Sequence, residues 1–590
     1  MDNAMHWDLR RMFPTDEAWH AKLQQMLALA DELAAQKGHA AASAEELCKT
    51  AALYEKMEEG FDDLGVFSNS NFDQDMSDTA AKELNETFRN AATGVGEKLS
   101  FLAPELMQYS QEDYDRYCAE KPELKRYASF AEDFFARKEH ILPDEQETLM
   151  VRMNDIGGSF VRVYEDLMVN DVEYPVVKAP DGSDFEANEA NYGVALTSPD
   201  RDFRAAYFKA LLGTYKKHGN TITSCYYGSV KNDVFTAKSR HYATARAMSM
   251  AENFIPEAVY DNLIATARAN TKPMCEYVEL RRQVLGLPDV HFYDLFVPMV
   301  KEIDRKYTYE EAQQMVLRAT AVLGEDYTAL VQRAFDERWI DVYPAKNKQT
   351  GAYSTGSYTS LPYVLLNFTG TLNDVFTLAH ELGHSMHTWF STHSQPFIYS
   401  GYSLFCAEVA STLNEQLLSA YLLQHAQSDD ERALLLDKKL NDLRSTFYRQ
   451  TMFADFENET HRLVEEGKPL VPSALNELHG KLNQLYYGPG FTVDEELTAE
   501  WSRIPHFYRA FYVYQYATGI AASTAIAHRI LTLGAPAVAD YRKFLCGGSS
   551  LHPIELLKLA GVDMASPQPI LDTVAEFETT LEQLKPLLKK

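Results

Sequence analysis

A mostly α-helical fold is what this sequence predicts, and three observations carry that expectation. Apolar residues recur at helical spacing through most of the chain, as in Trp19, Leu23, Met26, Leu27 and Ala30. Glycine and proline fall mainly at the seams between such stretches. Only residues 339–368 and 486–491 break the helical pattern clearly. At 590 residues, 46% hydrophobic and 24% charged, the chain is long enough to bury a large core and to divide into more than one lobe, which excludes a disordered or fibrous protein.

The elements follow in chain order. Residues 178–191 (KAPDGSDFEANEAN) are poor in apolar side chains and carry an Asp-Gly turn signal, so a lobe boundary or exposed loop is placed there, dividing the chain into 1–190 and 191–590. Just beyond, Ser198 before Pro199 and Asp200 reads as a helix cap followed by the residue that tolerates the first helical position. Residues 339–368 turn aromatic, β-branched and rich in glycine and serine, which predicts a small sheet. Within it, 361–368 reads equally as a buried strand or as an edge onto which an extended peptide adds. Tyr486 and Tyr487 lead into a Gly-Pro-Gly turn. No repeat is visible, which disfavours a solenoid.

Charge and composition narrow the partners. Lys+Arg number 56 against 85 Asp+Glu, a formal net charge of -29, and such a surface repels phosphate backbones and anionic lipid heads. The amino terminus has no apolar signal region and no stretch approaches a membrane span. Six cysteines lie far apart with no CxxC, as small buried hydrophobes rather than a disulfide or zinc framework. Cytoplasmic residence, with no nucleic-acid or membrane partner, is the expectation.

The chemistry is concentrated in residues 371–390, TLNDVFTLAHELGHSMHTWF. Thr371 with Asp374 forms the pattern of a capping box, so a helix starts there. Val375, Leu378, Leu382, Met386 and Trp389 form its apolar face. His380 and His384, one turn apart on another stripe, are placed to grip one metal ion, with Glu381 between them in an H-E-x-x-H motif. His387 lies seven residues past His380, about 10 Å along the helix, too far to share the ion. In the next apolar helix, residues 403–422, Glu408 sits among Cys406, Ala407, Val409 and Ala410, where burying a carboxylate calls for a cation. Spacing alone leaves Glu408 open between metal ligand and solvent-face glutamate, the latter being the reading given to Glu415 two turns later.

Residues 351–387 together with FCAEVASTLNE (405–415) closely resemble the M3 family of zinc metallopeptidases, specifically its oligoendopeptidase F branch. The likeness extends to WDLRRMFPTDEAWHAKL near the amino terminus and to IPHFYRAFYVYQYATG (504–519). It implies one zinc per chain on His380, His384 and Glu408, with Glu381 as general base toward the attacking water. It also implies that His506 and tyrosines of the 504–519 segment contact substrate and the developing oxyanion. Tyr512 and Tyr516, four apart and expected to share a helix face, are favoured over Tyr514. Unlike thimet-type members, whose two tyrosines stand three apart, this chain has Gly519 three after Tyr516. The same likeness implies a helical ellipsoid of two lobes around a deep substrate channel, an oligoendopeptidase F-type amino-terminal lobe in 1–190, an M3 catalytic domain in 191–590, and 361–368 as the peptide-binding edge strand.

The function expected is endopeptidase cleavage of short unfolded peptides. A carboxypeptidase or dipeptidyl carboxypeptidase on the same scaffold would need a cation for the substrate carboxylate, for which Arg503 and Arg509 stand near His506. A silent peptide-binding relative would have no chemical need for His380, Glu381, His384 and Glu408 together.

Overall fold

The computed structural model describes residues 5–300 and 305–588. Helices dominate, and the strands are two or three residues long: β1 (Val176–Lys178), β2 (Asp184–Glu186), β3 (Val290–His291), β4 (Ile340–Asp341), β5 (Tyr353–Thr355), β6 (Tyr363–Leu365) and β7 (Phe491–Thr492). No helix among the described residues is long and apolar enough to cross a membrane. The chain divides into two compact units, one of Met1–Glu139, Arg305–Tyr421 and Ile526–Gly561, the other of His140–Asp304, Leu422–Ala525 and Val562–Lys590.

In the first unit, α1 (Asp16–Ala34), α2 (Ala44–Gln74) and α3 (Thr79–Leu99) each start at a polar cap. Thr15, Ser43 and Asp78 accept hydrogen bonds from first-turn N–H groups that would otherwise be unsatisfied. The apolar stripe read in α1 is buried: Trp19, Leu23, Met26 and Leu33 pack with Met57, Leu64 and Leu84 in one core, which also takes Tyr363 and Leu365 of β6. Trp19 Nε1 donates to the Leu64 carbonyl at 3.2 Å, so its one polar group is satisfied inside that core.

The sheet expected in 339–368 is present, with strand order β4-β6-β5. Its register corrects the edge-strand expectation. β6, the centre of the 361–368 run, pairs in parallel with β4 (Ile340↔Val364) and antiparallel with β5 (Ser354↔Val364), and all three of its residues are buried. A strand that is apolar on both faces is stabilised by pairing on both sides. The partly exposed β5, which carries Ser354 and Thr355, is left as an edge.

Two helices of this unit carry the motif residues. Thr371 and Asp374 form the reciprocal capping box, and α4 (Leu372–Ser394) starts where the sequence places it. Val375, Leu378, Leu382 and Met386 are all at 0% exposure. After a connection that includes the four-residue helix Phe397–Ser400 comes α5 (Leu404–His425), nearly all of it in this unit. Asn414 ties the two together: its Nδ2 donates to the Ala379 carbonyl at 3.0 Å while its Oδ1 accepts from Tyr327 at 3.0 Å.

In the second unit, residues 178–191 include most of an antiparallel hairpin, β1–β2, around Asp181-Gly182, with Gly182 at φ +84° as such turns require. The helix start read at Ser198 lies two residues later. The helix is Arg201–Lys217, and Asp200 is its cap, because its carboxylate reaches the Phe203 N–H at 3.0 Å. The 486–491 stretch ends one helix at Tyr487 and enters β7, which pairs in parallel with β3. This unit also holds α6 (Arg449–Glu465) and the first turns of α7 (Tyr514–Leu533).

Candidate active site

His380 and His384 face the same way from α4, their rings 4.9 Å apart, and Glu408 reaches them from α5. Glu408 Oε2 lies 3.3 Å from His380 Nε2 and 3.7 Å from His384 Nε2. Tetrahedral zinc with bonds of about 2.0–2.2 Å holds its ligand atoms roughly 3.4 Å apart, so the two separations from Glu408 suit such an ion. The approach that makes this possible is set by Gly383. A Cβ there would stand 2.6 Å from both the Ala410 carbonyl oxygen and Ser411 Cα, so no larger residue lets α4 and α5 come this close.

The charges explain why a cation belongs at this point. Burial disfavours a charged His380, yet Glu408 on Nε2 and Glu415 on Nδ1 outweigh it and push the imidazole up to about 10. Burial would raise Glu408, but the histidines hold it down at about 2. His384 is pushed down to about 4 by burial and by its charged neighbour. A positive charge is therefore strongly favoured between His380 and Glu408, and a metal ion can take the place of that proton.

Glu381 lies beside this group without joining it. It is 6% exposed and is not in the His-His-Glu group, and burial pushes its carboxyl up to about 7, with the charge of His380 partly countering. The backbone N–H of Ser354 in β5 also bonds it. Ser354 Oγ in turn shares a hydrogen bond of 2.8 Å with Ser385 Oγ, joining the edge strand to α4 beside the motif.

Glu415 corrects the sequence reading. It is not a plain solvent-face glutamate: its Oε1 meets His380 Nδ1 at 2.6 Å, which fixes the tautomer that presents Nε2 to a metal. The signal was available, since Glu415 lies seven residues past Glu408 and two helical turns return it to the same face. His387 stacks on Tyr402 at 3.7 Å and is buried, with burial pushing it down to about 3.

The second unit brings His506, Tyr512 and Tyr516 together. The His506 ring is 6.1 Å from both tyrosine rings, and Tyr516 Oη donates to Tyr512 Oη at 3.1 Å. The shared helix face expected for the pair is not the reason. Tyr512 precedes α7, and the chain turns into the helix between the two. Phe511, in the left-handed region at φ 55°, sets that turn and donates its N–H to buried Glu457 of α6 at 2.8 Å. Tyr514 instead packs into the core against Tyr260, rings 5.1 Å apart. Arg503 is buried and pairs with Glu189 through its guanidinium, while Arg509 lies over the Tyr512 ring at 4.2 Å.

Comparison with known proteins matches this architecture over the whole chain. Residues 194–576 match the family described as peptidase family M3, and residues 105–174 match the one described as oligopeptidase F. Oligopeptidase PepF of Bacillus subtilis is 39% identical over 584 residues, 99% of this chain and 87% of the relative. A solved structure from Chlamydophila abortus superposes with a TM-score of 0.92 at 31% identity, covering 100% of this chain and 99% of the other. That of oligoendopeptidase-F from Enterococcus faecium gives 0.75 at 31% identity, covering 97% and 99%. With its His-His-Glu group on two adjoining helices and its motif glutamate beside them, the chain belongs to peptidase family M3.

Proposed function

We propose that this protein is a zinc-dependent endopeptidase that hydrolyses internal bonds of short, unfolded peptides in the cytoplasm. The observation that carries the reading is the convergence of His380, His384 and Glu408, with a buried carboxyl, Glu381, next to them and outside the donor set. Family membership and relatives named oligopeptidase or oligoendopeptidase support it. The family matches at 105–174 and 194–576 also support an amino-terminal lobe in 1–190 and a catalytic domain in 191–590.

Zinc, when bound, supplies the Lewis acidity that makes water nucleophilic near neutral pH and polarises a carbonyl. Glu381 takes the proton from the attacking water and returns it to the departing amine. Its buried carboxyl, beside the donor set and outside it, is placed for both transfers. Glu415 holds His380 in the ligating tautomer. The open side of β5 offers main-chain groups to an extended peptide, a side-chain-tolerant mode that suits a broad peptidase.

The resemblance of 504–519 to M3 enzymes, with the clustering of His506, Tyr512 and Tyr516, supports these three as donors to substrate and oxyanion. Tyr516→Phe should lower kcat by about 10²–10³-fold with little change in KM, since such a donor engages mainly in the transition state. Tyr514→Phe, altered in the core, should leave kcat near wild type. Steady-state kinetics on one fluorogenic peptide separates them, and equal kcat for all three proteins removes Tyr516 from the mechanism.

An exopeptidase must hold the substrate carboxylate with a cation. Arg503 is already engaged by Glu189, which leaves Arg509 of the pair considered. Peptides with an amidated carboxyl end should therefore be cleaved internally at rates close to those of the free acids. Chelator should abolish cleavage and zinc restore it, with products read by mass spectrometry. Cleavage confined to peptides with a free carboxylate would replace the endopeptidase reading with the exopeptidase one.

A further inference from the structure

A cavity of about 1080 Å³ lies within the first unit, and every residue lining it belongs to that unit. Its walls come from one face of α2, from α3, from the stretch that begins with Ser354 and Thr355 of β5, and from Thr388 and Thr392 of α4. Thr388 is one helical turn beyond His384, and its hydroxyl shares a 2.8 Å hydrogen bond with Tyr402, which also lines the cavity. The cavity thus adjoins both the edge strand and the helix that carries the metal motif. One helical turn is about 5.4 Å, roughly the rise of two residues of an extended peptide at about 3.3 Å each.

Most of the lining is apolar, with Phe61, Phe88, Val95, Phe134 and Phe397 prominent. The α2 face is the exception. Thr50, Tyr54, Glu58, Phe61 and Asp62 recur at helical spacing along the wall and place two carboxylates one turn apart where a core face would be apolar. Glu55, also on this wall, is already paired with Arg126 at 2.5 Å and with Tyr127. Glu58 and Asp62 have no basic partner among the described residues. Asp62 accepts only the Tyr358 N–H, at 3.2 Å. Glu58 is half-buried and Asp62 exposed on this wall, and their partial enclosure pushes both carboxyls up, with Asp63 and Glu58 adding to the shift at Asp62. Like charges one turn apart destabilise a helix, so a cation that meets both carboxylates is favoured there.

We propose that this cavity is the subsite that receives an apolar stretch of substrate peptide carrying one positive charge, with Glu58 and Asp62 as the carboxylates that meet it. The inference rests on the peptidase reading and names the substrate class that reading leaves open. Ammonium or guanidinium is the shared chemistry, and it comes either from a lysine or arginine side chain or from a free amino terminus. Charge-assisted hydrogen bonds to two carboxylates without a basic partner among the described residues are among the stronger polar contacts, while the aromatic walls take the flanking apolar side chains.

The test measures peptide binding by fluorescence anisotropy to zinc-loaded Glu381→Gln protein, so that binding is read without cleavage. The probes are apolar decapeptides carrying one lysine or, in the neutral twin, norleucine at successive positions, each with a free or acetylated amino end. At the best position the cationic peptide should bind about tenfold more tightly or better, and adding Glu58→Gln with Asp62→Asn should bring the ratio to about one. Loss of preference on acetylation identifies the amino terminus as the cation; loss on exchange of lysine for norleucine identifies the side chain. Both amides keep the shape of the wall and remove like-charge repulsion, so the thermal midpoint without peptide should hold or rise. Equal binding of cationic and neutral peptides by the parent protein, or a ratio that survives the double substitution, overturns the subsite. Failure of every probe to bind, neutral ones included, would instead overturn the peptidase reading beneath it.

Discussion

Glu381→Gln is expected to lose about 10²–10⁴-fold in kcat while still binding one zinc per chain and still binding peptide. The exchange is nearly isosteric, so the packing around this buried side chain survives, and the amide still accepts a hydrogen bond from the Ser354 N–H. What is lost is the capacity to take a proton. Glu381 is outside the His-His-Glu group, so its neutralisation leaves His380, His384 and Glu408 in place. Metal analysis beside steady-state kinetics makes the separation: full zinc with near-normal turnover would require another base, and loss of zinc would mean that Glu381 holds the metal rather than the proton.

Removing a ligand should have the opposite signature. His380→Ala, His384→Ala and Glu408→Ala should each lose most of the bound zinc and with it the activity, because three protein ligands leave no redundancy. Glu415→Gln keeps all three and is expected to weaken zinc binding by about 10–100-fold, since it loosens the orientation of His380 without deleting a donor. Binding should also weaken as pH falls. The site without metal holds a proton on His380, pushed up to about 10, and the metal must displace it, so a higher proton concentration opposes loading. Competition with a fluorescent chelator at several pH values reads both effects. Full zinc occupancy in Glu408→Ala would remove Glu408 from the ligand set.

Local signals were legible where the deciding interaction spans only a few residues. The start of α4 follows from Thr371 and Asp374, which cap each other across three positions. The stripes of α1 and α4 follow from a period that any helix must bury on one side. The register of the 339–368 sheet was not legible in this way. Whether 361–368 is a centre or an edge depends on what pairs with its far side, and β4 lies more than twenty residues upstream. Ser198 and Asp200 are both good caps by type, and in the structure it is the Asp200 carboxylate that reaches the Phe203 N–H.

The candidate site divides along the same line. His380 and His384 belong together by sequence alone, because residues one turn apart on a helix share a face whatever surrounds them. The distances from Glu408 to the two histidines, the bond from Glu415 to His380, and the separation of Tyr514 from Tyr512 and Tyr516 were decided by tertiary structure. Each depends on how closely two segments approach. For α4 and α5 that distance is set by a glycine, Gly383, whose missing Cβ admits the backbone of Ala410 and Ser411. Sequence by itself determined which groups a metal and a proton would need; the close packing of two helices, a many-body property that no local pattern encodes, determined that those groups meet at one point.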